Sequence, residues 1–142
     1  MAWVVDTCVM LDVRINDPAF GVSSARCLSH YAADGLIICP IVFVELSVNF
    51  GGDAPAERTF FDSFAMQSEM DWSAQDTLTA HRLWHDFTMR RRSLHLPKRP
   101  IADMFIAAFA EKHQGVITRN VADFRSVAPA SPLIDAALPI AS

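Results

Sequence analysis

The chain has 142 residues, 51% of them hydrophobic and 20% charged, with a formal net charge of −4. That length suits one domain, residues 1–142, with a sizeable core, and the composition excludes a disordered tail. The negative balance argues against broad, unselective binding to phosphate backbones. A local basic edge is compatible with it, because nucleic acid responds to local potential.

Residues 2–5, AWVV, read as a buried strand, because apolar residues run on without alternation. A short turn or helix follows through Met10 and Leu11. Residues 23–35, SSARCLSHYAADG, have helical spacing in Ala25, Leu28 and Ala32, with Gly35 as the stop. LIIC, residues 36–39, is the next buried strand. Pro40 fits the first turn of a helix through VFVELSVNF, ended by Gly51 and Gly52. Further helices are expected over 54–67, over 73–92 with Ser73 and Asp76 as a capping pair, and over 101–115. VIT, 116–118, is a minimal strand followed by a turn through RNVADF, and a last short strand is signalled near 132–134. Strands alternating with helices predict a three-layer α/β/α sandwich around a mainly parallel sheet. In such sheets ligands gather beyond the carboxyl ends of the strands, where Asp6 and the RNVAD turn fall.

Cys8, Cys27 and Cys39 are odd in number and form no C-x-x-C pair, so reduced, buried, structural cysteines are expected. There is no signal-peptide pattern at the start and no apolar run approaching the roughly 20 residues of a membrane span. A cytoplasmic location with no membrane partner is the default expectation. His30, His81, His85, His95 and His113 are scattered, which does not favour zinc. Phosphate-loop, dinucleotide and serine-hydrolase patterns are absent from the sequence.

The informative residues are acids placed where apolar neighbours dominate. Asp6 directly follows the first strand, and Asp12 comes six positions later. Asp6 is either the cap of the turn into a helix or a metal ligand. Glu45 shares a helical face with Ile41 and Val48, where an unpaired ionised carboxylate costs several kcal/mol, on the order given by polar-group transfer. It is therefore either at the edge of that stripe, reaching water, or offset by a cation or hydrogen bonds. Asp103 lies in a first helical turn, favourable for a negative charge, yet its neighbours Ile106, Ala107 and Ala110 imply close packing. Asn120 and Asp123 are turn formers or ligands directly after VIT, and Thr118 is a strand residue whose hydroxyl can orient a carboxylate or a water. Together these oxygens suit Mg²⁺ or Mn²⁺. Arg90, Arg91, Arg92, Lys98 and Arg99 gather just before Asp103. They read as a solvated helix end or as contacts to an RNA backbone.

VVDTCVMLDV, VFVELSVN, PIADMFIAAFA and TRNVADF, in that order, resemble the PIN-domain ribonucleases, and within them the VapC-type toxins of bacterial toxin–antitoxin pairs. The resemblance spans nearly the whole chain. It implies a metal-dependent endoribonuclease, with Asp6, Glu45 and Asp103 matching the first three acids and Asp123 or Asn120 near the fourth. Thr118 matches the threonine before the closing turn, and Asn120 stands where many relatives have aspartate, leaving Asp123 as the charged choice. By the same resemblance Asp6, Glu45, Asp103 and Asp123 hold the ion, Thr7 and Thr118 position a carboxylate or water, and Asp12 is peripheral. It also implies an RNA substrate, a homodimer and a small antitoxin; apolar residues between 43 and 66, including Phe50, Phe60, Phe61, Phe64 and Met66, read as that antitoxin's groove or, equally well for many of them, as core packing. The alternative is a non-catalytic RNA-binding or protein-binding member of the same fold. A second rival is a metal-dependent enzyme acting on DNA or a phosphorylated small molecule.

Overall fold

The computed structural model describes residues 1–94 and 100–140, with the side chains of residues 93 and 94 left aside. Lys98, Arg99 and His95 lie outside the described residues.

The first strand, β1 (Trp3–Val5), is buried along its whole length, as its unbroken apolar run requires. Asp6 ends it and caps helix α1 (Thr7–Arg14), its carboxylate accepting from the Thr7 amide at 2.7 Å. Helix α2 (Gly21–Tyr31) packs on α1 and leads to β2 (Leu36–Ile37). Helix α3 (Pro40–Glu45) starts with proline in its first turn, where the missing N–H costs nothing. A tighter 3-10 turn over Leu46–Phe50 replaces the rest of the expected helix. Helix α4 (Ala54–Ser63) is capped by Asp53, whose side chain accepts from the Ala56 amide.

The helix expected to run to residue 67 stops at Ser63. Phe64 and Ala65 turn the chain, Ala65 with a left-handed φ of 55°, and Met66–Gln67 form strand β3. A strand this short carries no periodicity of its own; pairing to β2, with Ile38 N–H donating to Gln67 O at 2.8 Å, creates it. Helix α5 (Ala74–Leu94) carries the predicted Ser73–Asp76 capping pair, each group bonding the other's backbone amide. Helix α6 (Ile101–Ala110), strand β4 (Gly115–Thr118), helix α7 (Val121–Val127) and strand β5 (Leu133–Asp135) complete the order. Helix α7 stands where only a turn was expected, and α6 ends five residues early.

The strands lie in the order β3-β2-β1-β4-β5, and every pairing among the described residues is parallel. Parallel neighbours need crossovers, and the helices supply them, giving a three-layer α/β/α sandwich. Gly115 is required at the start of β4: with φ at 154°, a Cβ there would collide with the Pro132 carbonyl oxygen and the Trp3 ring. The core fills the space between sheet and helices with Val4, Val5, Ile38, Phe61, Phe87, Phe109, Ile117 and Phe124. No described helix is long and apolar enough to cross a membrane.

Candidate functional site

The carboxyl ends of the two central strands bring Asp6 and Thr118 together. Val5 is in register with Ile117, and the Asp6 amide donates to the Ile117 carbonyl at 2.9 Å. The Thr118 hydroxyl donates to Asp6 Oδ2 at 2.7 Å and accepts from the Asn120 amide at 2.9 Å. An ionised carboxylate can only accept, so the hydroxyl hydrogen is committed to it. The thiol of Cys8 donates to the same oxygen at 3.2 Å. Thr7 extends the network outward: its amide holds Asp6 Oδ1, and its hydroxyl donates to Glu45 Oε1 at 2.7 Å. One residue thus ties two of the predicted acids.

Asp6 is only 3% exposed, and Thr118 is fully buried. Among the described residues the donors reaching Asp6 are a hydroxyl, a thiol and an amide, all neutral. Burial raises the Asp6 pKa above the usual carboxylate range, and the donors from Thr118, Cys8 and Thr7, with the Arg119 charge, offset part of that rise. The Cys8 thiol is pushed up to about 12 by its own burial and by the neighbouring Asp6 charge, so it remains protonated and inert at neutral pH. Cys27 and Cys39 are buried, and all three cysteines are free, as expected.

Other predicted residues lie toward the same end of the sheet. Glu45 is exposed, so the apolar stripe around it does not bury its charge; it sits at the stripe's wet edge, fixed by Thr7. Asp103 is half-buried in the first turn of α6. Because α6 leads through residues 111–114 into β4, that turn lies toward the strands' carboxyl ends. Asn120 precedes α7, is exposed, and makes no side-chain capping bond; Asp123 is half-buried in the first turn of that helix. Among the described residues no group of three or more His, Cys, Asp or Glu side chains stands close enough to hold a metal ion. The donor chemistry fits Mg²⁺ or Mn²⁺, since a carboxylate has about four lone-pair sites and Asp6 uses three on neutral donors. The acids are not gathered into a cage.

Asp12, expected to be local or peripheral to the acidic site, is bonded away from it: it is 2% exposed and gripped by Arg119 through Nε to Oδ2 at 2.6 Å and a terminal nitrogen to Oδ1 at 2.9 Å. Sequence reasoning missed Arg119, and with it the contacts that join Cys8 and Asp12 to the turn after β4. The only local signal was the position of Arg119 directly after Thr118. Of the basic cluster, Arg90 donates to the Ser126 carbonyl at 2.8 Å, Arg91 is half-buried and Arg92 is exposed. In the expected antitoxin surface, Phe61 and Met66 belong to the core, whereas Phe50, Phe60 and Phe64 are partly exposed.

Solved structures share this architecture at low identity. VapBC2 from Rickettsia felis, bound to a DNA fragment from its promoter, matches with a TM-score of 0.70 and 21% identity over 95% of this chain and 98% of that one. The fold is PIN-like. FitAcB from Neisseria gonorrhoeae matches with a TM-score of 0.62 and 16% identity over 96% and 98%. No protein-family model matches this PIN-like chain, and no curated protein sequence does.

Proposed function

We propose that this protein is the toxin of a toxin–antitoxin pair, a Mg²⁺- or Mn²⁺-dependent endoribonuclease working at the carboxyl ends of β1 and β4. The observation that carries the reading is the buried Asp6 carboxylate, held among the described residues by neutral donors only and joined through Thr7 to Glu45. A buried anion with neutral partners is the group a cation relieves most. Asp6, Glu45 and Asp103 would hold the ion, with Asp123 as the fourth acid. When bound, such an ion lowers the pKa of a water and neutralises phosphoryl charge. Thr118 keeps Asp6 Oδ2 oriented, and the Asn120 amide keeps Thr118 oriented. Arg91 and Arg92 suit the RNA backbone. Partly exposed Phe50, Phe60 and Phe64, beside exposed Val44 and Val48, suit an antitoxin, and the reading includes a homodimer. The two similar structures, named as VapBC2 and FitAcB, support a protein partner.

One observation favours a second reading, a non-catalytic RNA-binding or protein-binding member of the fold. Among the described residues the acids are not clustered for a metal, so the unliganded chain already suits a binding module. The nuclease reading instead requires Glu45 and Asp103 to gather toward Asp6. Cleavage of a pool of structured cellular RNAs with added Mg²⁺ or Mn²⁺, by wild type and Asp6→Asn, separates the two. The nuclease predicts metal-dependent cutting reduced on the order of a thousandfold in the variant, as loss of several kcal/mol of transition-state stabilisation implies. Equal activity in both proteins sinks the site. RNA or partner binding without cutting establishes the second reading.

A further inference from the structure

We infer that Arg119 is a positioning residue: its fork on Asp12 locks the turn after β4 onto α1 and so holds Thr118 against Asp6. The inference rests on the proposed site for its functional meaning.

Helix α1 carries a carboxylate at each end of its site-facing half. Asp6 caps it, and Asp12 lies nearly two turns later. The end of β4 and the first residue after it touch both. Thr118 bonds Asp6, and Arg119 bonds Asp12 through two nitrogens. A third contact lies between them, where the Arg119 amide meets Cys8 Sγ at 3.5 Å. Two attachments spaced along one helix prevent the loop from pivoting about either.

The anchor is itself immobilised. Ser24 on α2, fully buried, donates to Asp12 Oδ2 at 3.0 Å, and the guanidinium lies over the Phe20 ring, 4.2 Å from its centroid. Planar, bidentate recognition of this kind is specific to arginine; a lysine ammonium makes a point contact and leaves one oxygen unheld. The same turn presents Asn120, whose amide orients the Thr118 hydroxyl. Loosening Arg119 therefore releases, in order, the turn, the hydroxyl and the Asp6 carboxylate.

The test compares Arg119→Lys and Asp12→Asn with Arg82→Lys in the metal-free protein. Arg82 makes an exposed ion pair with Glu111, away from Asp6, and serves as the chemical control. Amide hydrogen exchange is read at Thr7 and Asn120, whose N–H groups bond Asp6 and Thr118, and Mn²⁺ binding is measured on the same samples. Exchange at these two amides should rise about tenfold in both site variants, as a local opening does, and stay unchanged in Arg82→Lys. Mn²⁺ affinity should fall by about the same factor, with the melting curve still cooperative. Unchanged exchange at Thr7 and Asn120 overturns the inference, and so does a uniform rise along the whole chain, which makes the pair a general stability element. If exchange responds while wild type binds no Mn²⁺, the positioning role stands and the metal-dependent reading falls.

Discussion

The two ends of helix α1 hold aspartates of almost equal burial, 3% exposed for Asp6 and 2% for Asp12, in opposite electrical settings. Asp12 faces a guanidinium that meets both its oxygens, and a buried serine adds a further donor. Asp6 faces a hydroxyl, a thiol and an amide, and burial raises its pKa. Burial alone therefore does not distinguish a carboxylate paired to a basic side chain from one held by neutral donors. The distinguishing feature is whether the protein provides the countercharge or leaves it to come from outside.

Removing each carboxylate breaks the comparison in the most direct way. Asp12→Ala strands the Arg119 charge and should cost about 3 kcal/mol, a fall of roughly 6–12 °C in Tm. Asp6→Asn removes a charge that has no basic partner in contact among the described residues and should leave Tm within about 3 °C of wild type at pH 8. Thermal melts of the two variants under one condition check this, and equal losses would erase the distinction.

A third buried acid sharpens it. Glu57 is 1% exposed, its Oε2 has no hydrogen-bond partner among the described residues, and burial pushes its pKa up to about 7. Its folded value lies above its ordinary 4.5, so the folded chain binds the proton more tightly. The resulting stability is fully present below about 4.5 and is lost as pH rises through about 7. Glu57→Gln should therefore raise Tm by about 3–6 °C at pH 8 and change it little at pH 4.5. Melting curves at both pH values test the sign, and an equal effect at both would assign the change to packing instead.

The smallest expected effect is at Glu45, which is exposed and linked to Asp6 through Thr7. Glu45→Gln should leave Tm unchanged and weaken Mn²⁺ binding by about tenfold, the scale of one lost supporting interaction at a metal site. Titration calorimetry reads this, and unchanged affinity would remove Glu45 from the proposed ligand set.

Much of the fold was legible because burial on both faces leaves an unmistakable run, as in Trp3–Val5 and Val116–Thr118. Met66–Gln67 was not legible as a strand: it follows a helical pattern, and only its pairing with Leu36–Ile37 defines it. Helix α7 was hidden by the turn-forming residues Asn120 and Asp123 at its start. At Glu45 the sequence left the wet edge of the apolar stripe and a hydrogen-bonded role open, and the structure shows an exposed carboxylate that accepts from Thr7.

The chain's own order of residues determined the alternation of strands and helices, the capping role of Asp6 and the arrival of Thr118 at a strand end. These depend on local propensity and on periods of two or 3.6, which are written along the chain. Tertiary structure alone decided that Thr118 would orient Asp6, that Thr7 would join it to Glu45, and that Arg119 would neutralise Asp12. Those contacts span 38 to 112 positions, and only the register of β1 with β4 and the packing of helices on them bring such distant side chains within hydrogen-bond reach.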